Sequence, residues 1–361
     1  MKKPIHCHTI LSLYNYVTFF NALFFTILIT RATSVYSQTS TSKVRPFEMK
    51  GYIEFSGQYS SREPVYQYLS QNYMHAKLRN TAYIYGIPVS MHAYFSTEQS
   101  KYRQSLNTVT LGLDTRKLAN NHLLKNHAFL SWFKTLEIGR CRPSYSDFVL
   151  NGIALDGINI ALQKGVLYSA FVYGRTARNV SYRSRYFPTE QRNIMFGKVG
   201  LGKPKSSHLF ISLLHSEDAE TSVTEEDKSN FTPSRNYTGS VEAMLKMFKK
   251  KFAIGGEIAV SEHTRDKYQP SAEFEDIPGY VNDALSPNIS SSLDYAVSAF
   301  SELDLKNTRA SVAVKSIGPG YQSFGIPYLR QDNIEYEGKF SQYFFKRSFM
   351  LKTFIKKRDY R

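Results

Sequence analysis

A period of two, carried from hairpin to hairpin, constrains this chain more than any other feature. Ile158, Ile160 and Leu162 fall on one side of a run whose other side is Gly157, Asn159 and Ala161, the pattern of a strand with two unlike faces. Gln163-Lys164-Gly165 turns the chain, and the return run sets Tyr168, Ala170 and Val172 against Leu167, Ser169, Phe171 and Tyr173. The same alternation recurs upstream. Ile53 and Phe55 alternate with Glu54 and Ser56, and Met74, Ala76 and Leu78 with His75, Lys77 and Arg79. Ile87, Val89, Met91, Ala93 and Phe95 then alternate with Ser90, His92, Tyr94 and Ser96, and Val109, Leu111 and Leu113 with Thr108, Thr110 and Gly112.

The connections fall into two kinds. Short turns at 163–165, 203–206, 249–251, 306–308 and 345–347 all carry lysine and no acid. Long polar connections at 175–191, 216–236, 263–291 and 317–332 separate them, two holding acidic clusters such as Glu225-Glu226-Asp227 and Glu273-Phe274-Glu275-Asp276. Short turns at one end and long loops at the other are the arrangement of an outer-membrane barrel. Closure of such a sheet keeps lipid from meeting unpaired backbone groups. The expected fold is all-β: an antiparallel up-and-down transmembrane β-barrel of roughly 14–16 strands, either closed or incomplete, with boundaries good to a few residues.

The N-terminus bears Lys2 and Lys3, an apolar run over 16–29, then small residues up to Ser37, with no acid before Gln38. This is the form of a secretory signal peptide, its apolar core shorter than the roughly 20 residues of a spanning helix. The domain plan is therefore a signal peptide at 1–37, a polar periplasmic lead at 38–50 and a barrel over 51–361. Cleavage after Ser37 removes Cys7 and leaves Cys141 as the one cysteine, so no intrachain disulfide framework stabilises the exported chain. The formal charge is +16, and the signal carries Lys2, Lys3 and Arg31, leaving 16 − 3 = +13. The cations are spread over turns and alternate strand positions and form no single stripe, which argues against nucleic acid as a partner. Outer-membrane lipid, small anionic solutes or an envelope protein are the expected partners. Tyr 26 and Phe 25 against Trp 1 suit the aromatic girdles of a membrane barrel.

The period breaks over 140–152, where Pro143 cannot donate to a ladder. This stretch reads as a loop folded into the lumen. The candidate lumen-lining residues are Lys77, Arg79, Arg140, Arg142 and Asp147, and Arg103, Lys198 and Lys246 also fall at inward positions. Rings of Arg and Lys favour anions, though charged residues on the polar face of a barrel strand are also an ordinary solvated wall. The chemical motifs carry little. Gly197 to Lys203 has phosphate-loop spacing, but Pro204 stands where a hydroxyl is required and no helix follows. His215-Ser216-Glu217-Asp218 holds triad residue types that alternate between faces on a strand. His6-Cys7-His8 leaves with the signal peptide. Asn179, Asn230, Asn236 and Asn288 begin Asn-x-Ser/Thr patterns, which matter only in a eukaryotic secretory route and are incidental on a bacterial reading. Neither a metal nor another cofactor is expected, and no catalytic residue is assigned.

Two blocks resemble a family of large outer-membrane β-barrel proteins of Bacteroidetes. One comprises Gly139-Arg140-Cys141-Arg142, the 144–152 loop, the Gln163-Lys164-Gly165 turn and Tyr173-Gly174-Arg175. The other is Gly320-Tyr321-Gln322-Ser323-Phe324-Gly325 followed by 329–335. The resemblance implies a membrane barrel and lends no activity. The expected function is porin-like or transport-related and non-catalytic. The rivals are an envelope binding or assembly role through loops or lumen, and a barrel enzyme acting on lipid. In the resembling family a strand like 348–355 is followed by further strands where Arg358-Asp359-Tyr360 stands here, so a truncated or split member is a further expectation.

Overall fold

The computed structural model describes residues 47–59, 72–84, 87–97, 107–113, 128–176, 191–219, 232–275, 277–326 and 328–360. The expectations for the signal peptide, its cleavage site, Arg103 and the 225–227 acidic cluster lie outside them. Among the described residues no helix is long and apolar enough to cross a membrane.

The strands are β1 (Phe47–Gln58), β2 (Tyr73–Ile84), β3 (Ile87–Ser96), β4 (Thr108–Leu113), β5 (Phe133–Cys141), β6 (Ser144–Ser146), β7 (Leu150–Asn151), β8 (Leu155–Lys164), β9 (Leu167–Arg175), β10 (Arg192–Gly202) and β11 (His208–Asp218). They continue with β12 (Arg235–Met247), β13 (Phe252–Thr264), β14 (Ser291–Asp304), β15 (Thr308–Ile317), β16 (Asn333–Phe344) and β17 (Phe349–Tyr360), with one short helix, α1 (Gly279–Leu285), between β13 and β14. All but β6 and β7 form one 15-stranded sheet in which sequence neighbours are sheet neighbours, each pair antiparallel. The fold is thus all-β, up-and-down and barrel-like. It is not closed: β1 and β17 are its two edges.

Two boundaries differ from the sequence reading. β1 begins at Phe47, so pairing of Phe47 with Ile84 and Met49 with Ala82 draws four residues of the polar lead into the sheet. The β4–β5 connection also lies at the short-turn end yet runs over 114–132, ending in a 3-10 turn at Ala128–Trp132. The other expected turns and long connections fall where the alternation places them.

Directly paired residues point to the same face, so the register sorts every side chain. One row runs Ile160, Phe171, Gly197, Leu213, Gly239, Val260, Tyr295 across β8 to β14. The adjacent row on the opposite face runs Asn159, Val172, Phe196, Leu214, Thr238, Ser261, Asp294. The first face is apolar and bare: Leu213 is 65% exposed, Ile258 60% and Val312 63%. The second is mixed in polarity and, over β8 to β15, covered: Val172, Phe196 and Leu214 are all buried. A sheet in water hides its apolar side; this one shows it, far beyond the few hundred Å² of apolar patch that soluble monomers expose.

A plugged inner face as the candidate functional site

What covers the inner face comes from two connections at the long-loop end. The first insert, 142–154, leaves β5 and returns to β8; β6 and β7 pair within it, Ser144 opposite Asn151. Gly152, at φ +73, makes the reversal, a left-handed conformation that L side chains resist, and its amide donates to the Pro143 carbonyl at 2.8 Å. Pro143, out of place in a ladder, needs no ladder there. The insert's tip is Phe148-Val149-Leu150, all three at 0% exposure. Val149 and Leu150 pack with Cys141, Leu155, Val172, Ile194, Phe196 and Leu214, and Phe148 with Ala259, Ala296, Ile317 and Tyr321. Small residues on β13 and β14 thus leave room for the Phe148 ring.

The second insert, 318–332, connects β15 to β16 and lies against the first. Tyr321 donates its hydroxyl to the Phe148 carbonyl at 2.9 Å, Ser323 Oγ to the Val149 carbonyl at 2.7 Å, and the Asn151 amide to the Gly325 carbonyl at 3.0 Å. Close approach is built in at Gly325, where a Cβ would stand 2.2 Å from the Val149 carbonyl oxygen. Segments rooted at β5/β8 and at β15/β16 therefore meet over the strands between them and bridge the concave side as a plug.

Polar side chains of the wall fasten it. Glu257 on β13, 5% exposed, accepts from Ser146 Oγ and from the Asp147 amide at 3.2 Å, while Ser146 Oγ accepts from the amides of Phe148 and Val149. Lys198 on β10 donates to the Tyr145 carbonyl and to Glu242 Oε2 at 2.5 Å; His208 Nε2 meets the other oxygen of that carboxylate at 2.8 Å. Tyr145 donates to Asn159 Oδ1 at 2.5 Å and stacks on Phe196. Burial pushes the phenols of Tyr145 and Tyr321 up, so both remain neutral donors.

Asn236 on β12, fully buried, is the anchor of the second insert. Its amide nitrogen donates to the Gln322 carbonyl at 2.9 Å and to the Glu262 carbonyl at 2.8 Å, and its oxygen accepts from the Phe324 amide at 3.1 Å. The Phe324 ring is then held between the Arg192 guanidinium, 3.5 Å from its centroid, and the edge of His263. Arg192 is itself fixed by a two-pronged ion pair with Asp218, at 2.7 and 3.1 Å.

The candidate lumen residues do not gather into one lining. Lys77 lies on the inner face near the β1 edge, 3.6 Å from Glu54, and Arg79 is exposed on the same face, opposite His92. Arg142 and Asp147 are exposed at the insert, and Asp147 contributes its backbone amide to the fastening. Arg140 is a correction: register puts it beside Ile138 on the outer face, where it pairs with Asp156 at 2.8 Å. Of the inward basic set, Lys198 is buried in its ion pair, a fastener and not a free cation. Ser146, Glu257, Glu242 and Asn236 were missed. The Asn-x-Thr pattern at Asn236 drew attention for another reason, while a Glu at an inward position of two neighbouring strands was the signal available for Glu242 and Glu257. The phosphate-loop spacing at 197–203 lies along β10 into its turn, as strand and turn chemistry predicts. Among the described residues no group of three or more His, Cys, Asp or Glu is placed to hold a metal ion. No protein-family model matches this sequence, and no curated protein matches it.

Proposed function

We propose that this chain is an outer-membrane protein with a transport-related, non-catalytic role, whose sheet stands in the bilayer with its apolar face to lipid and its inner path occupied by the 142–154 and 318–332 inserts. The observation that carries the reading is the reversed polarity of the sheet: bare Leu, Ile and Val outside, a hydrogen-bonded plug inside. The resemblance of both inserts to Bacteroidetes outer-membrane proteins supports the same reading. Planar-bilayer recording tests it. The wild-type chain is expected to conduct little, and Asn236→Ala, which removes the anchor of the second insert, is expected to raise salt-dependent current. A second reading, an envelope binding or assembly partner, is favoured by the same plug, since a filled interior suits a protein that acts through its surfaces. Silence of both wild type and Asn236→Ala, with stable co-purification of an envelope protein, selects that reading. Recovery of the folded chain as a soluble periplasmic protein overturns both.

A further inference from the structure

We infer that the short-turn end of the sheet carries a seat for an anionic phospholipid, its acyl chain in a cleft on the apolar face and its headgroup at the lysines of two neighbouring turns; this rests on the membrane reading above. The cleft, about 380 Å³, is lined by Trp132, Leu162, Leu167, Val199 and Leu201, with Lys164 at its rim. Lys164 Nζ lies 4.3 Å from the centre of the Trp132 ring, a cation–aromatic contact that holds the ammonium at the edge of the apolar surface. The rim is built, not loose. Gln163 donates to the carbonyls of Gly165, Leu167 and Gly202 at 3.0, 3.2 and 3.0 Å, and the Gly202 amide donates to the Val166 carbonyl at 2.6 Å. These bonds tie the β8–β9 turn to the β10–β11 turn, where Lys203 and Lys205 are exposed.

Charge complementarity selects the occupant. Neither turn contains an acid, and neither do the other lysine turns at that end, so an anionic headgroup meets lysines at the two turns while its chain continues the apolar face. A soluble anion uses the lysines and leaves the cleft unused; an acidic protein segment gains nothing from an apolar slot facing the bilayer. Attraction of a basic cluster to anionic lipid amounts to roughly fivefold in affinity per lysine.

The test uses the chain reconstituted in nanodiscs of phosphatidylcholine and phosphatidylglycerol in equal amounts, with retained lipids counted by native mass spectrometry. Phosphatidylglycerol is expected to be enriched over its share of the bilayer. A Lys164→Gln/Lys203→Gln/Lys205→Gln variant is expected to lose that enrichment by about fivefold or more. Ser169→Trp, which fills the cleft and keeps every charge, loses it as well; Lys249→Gln/Lys250→Gln/Lys251→Gln, removing equal charge from a turn away from the cleft, keeps it. Retention in proportion to the bilayer overturns the seat, as does equal loss in the two lysine variants, which marks a diffuse basic rim. Failure of the folded chain to enter nanodiscs at all overturns the membrane reading and the seat together, whereas entry without enrichment removes only the seat.

Discussion

Ser146 is a small side chain on which the plug depends, and it holds three groups at once: it donates to Glu257 and accepts from two amides at the tip. Ser146→Ala leaves a buried carboxylate and two amides short of a partner, an expected cost of about 1–3 kcal/mol. Amide hydrogen exchange reads it directly: protection at Phe148 and Val149 falls in the variant while protection in β11 and β12 does not. Unchanged protection at Phe148 and Val149 removes Glu257 and Ser146 from the fastening. At this scale the sequence was least legible. Lys198 and Glu242 each look like an ordinary polar position on the inward side of a strand, and only the register of β10, β11 and β12 brings Lys198 to Glu242, while Tyr145 reaches Lys198 from the insert. Arg140 departs from its expected place because the break in period starts later than the alternation suggests: β5 runs on through Cys141 and so carries Arg140 on the outer face.

Among elements, the strands were readable because alternation is local, and the inserts were readable only as interruptions. Pro143 and the lost period marked the first insert as leaving the ladder, but its partner lies more than a hundred residues away in sequence, across the whole middle of the sheet. The expectation that it folds inward holds; the charged lining expected of it gives way to an apolar tip, because Phe148, Val149 and Leu150 fill the space left by Ala259, Ala296 and their neighbours. Contact between inserts has a sharp test in two glycines. A Cβ at Gly325 would stand 2.2 Å from backbone of the first insert, whereas one at Gly338 in β16 would meet nothing within 4 Å. Gly325→Ala is expected to separate the inserts and expose the 142–154 segment to limited proteolysis, and Gly338→Ala to leave digestion as in wild type. Phe148→Ala is expected to destabilise by about 3–5 kcal/mol, as large-to-small changes at filled aromatic sites do, measured by denaturant unfolding in detergent.

For the whole molecule, fold class and strand number within the expected range were visible in the sequence, since the two-residue period and the two kinds of connection report directly on an up-and-down sheet. Closure was not. Fifteen strands alternating in direction set β1 and β17 running the same way, so these two edges could join each other only as a parallel pair, against the even count of an all-antiparallel barrel. The outer face carries its own prediction: Leu213→Arg, mid-strand on β11 and 65% exposed, is expected to lose about 2–4 kcal/mol in a bilayer, seen as a lowered midpoint in vesicle refolding titrations. Equal refolding of Leu213→Arg and wild type speaks against lipid contact at that face. The plug also sets an order of events. Each hairpin closes over a few residues, but Tyr321 reaches Phe148 across 173 positions and Ser323 reaches Val149 across 174, and contacts of such long range bear the largest loop-closure cost and form last. The chain therefore has to build most of its wall before its interior can be stoppered, so pulse-labelled refolding should show the hairpin amides of β10 to β13 protected while those of Phe148 and Val149 still exchange, and the nascent protein passes through a stage in which its inner face is open.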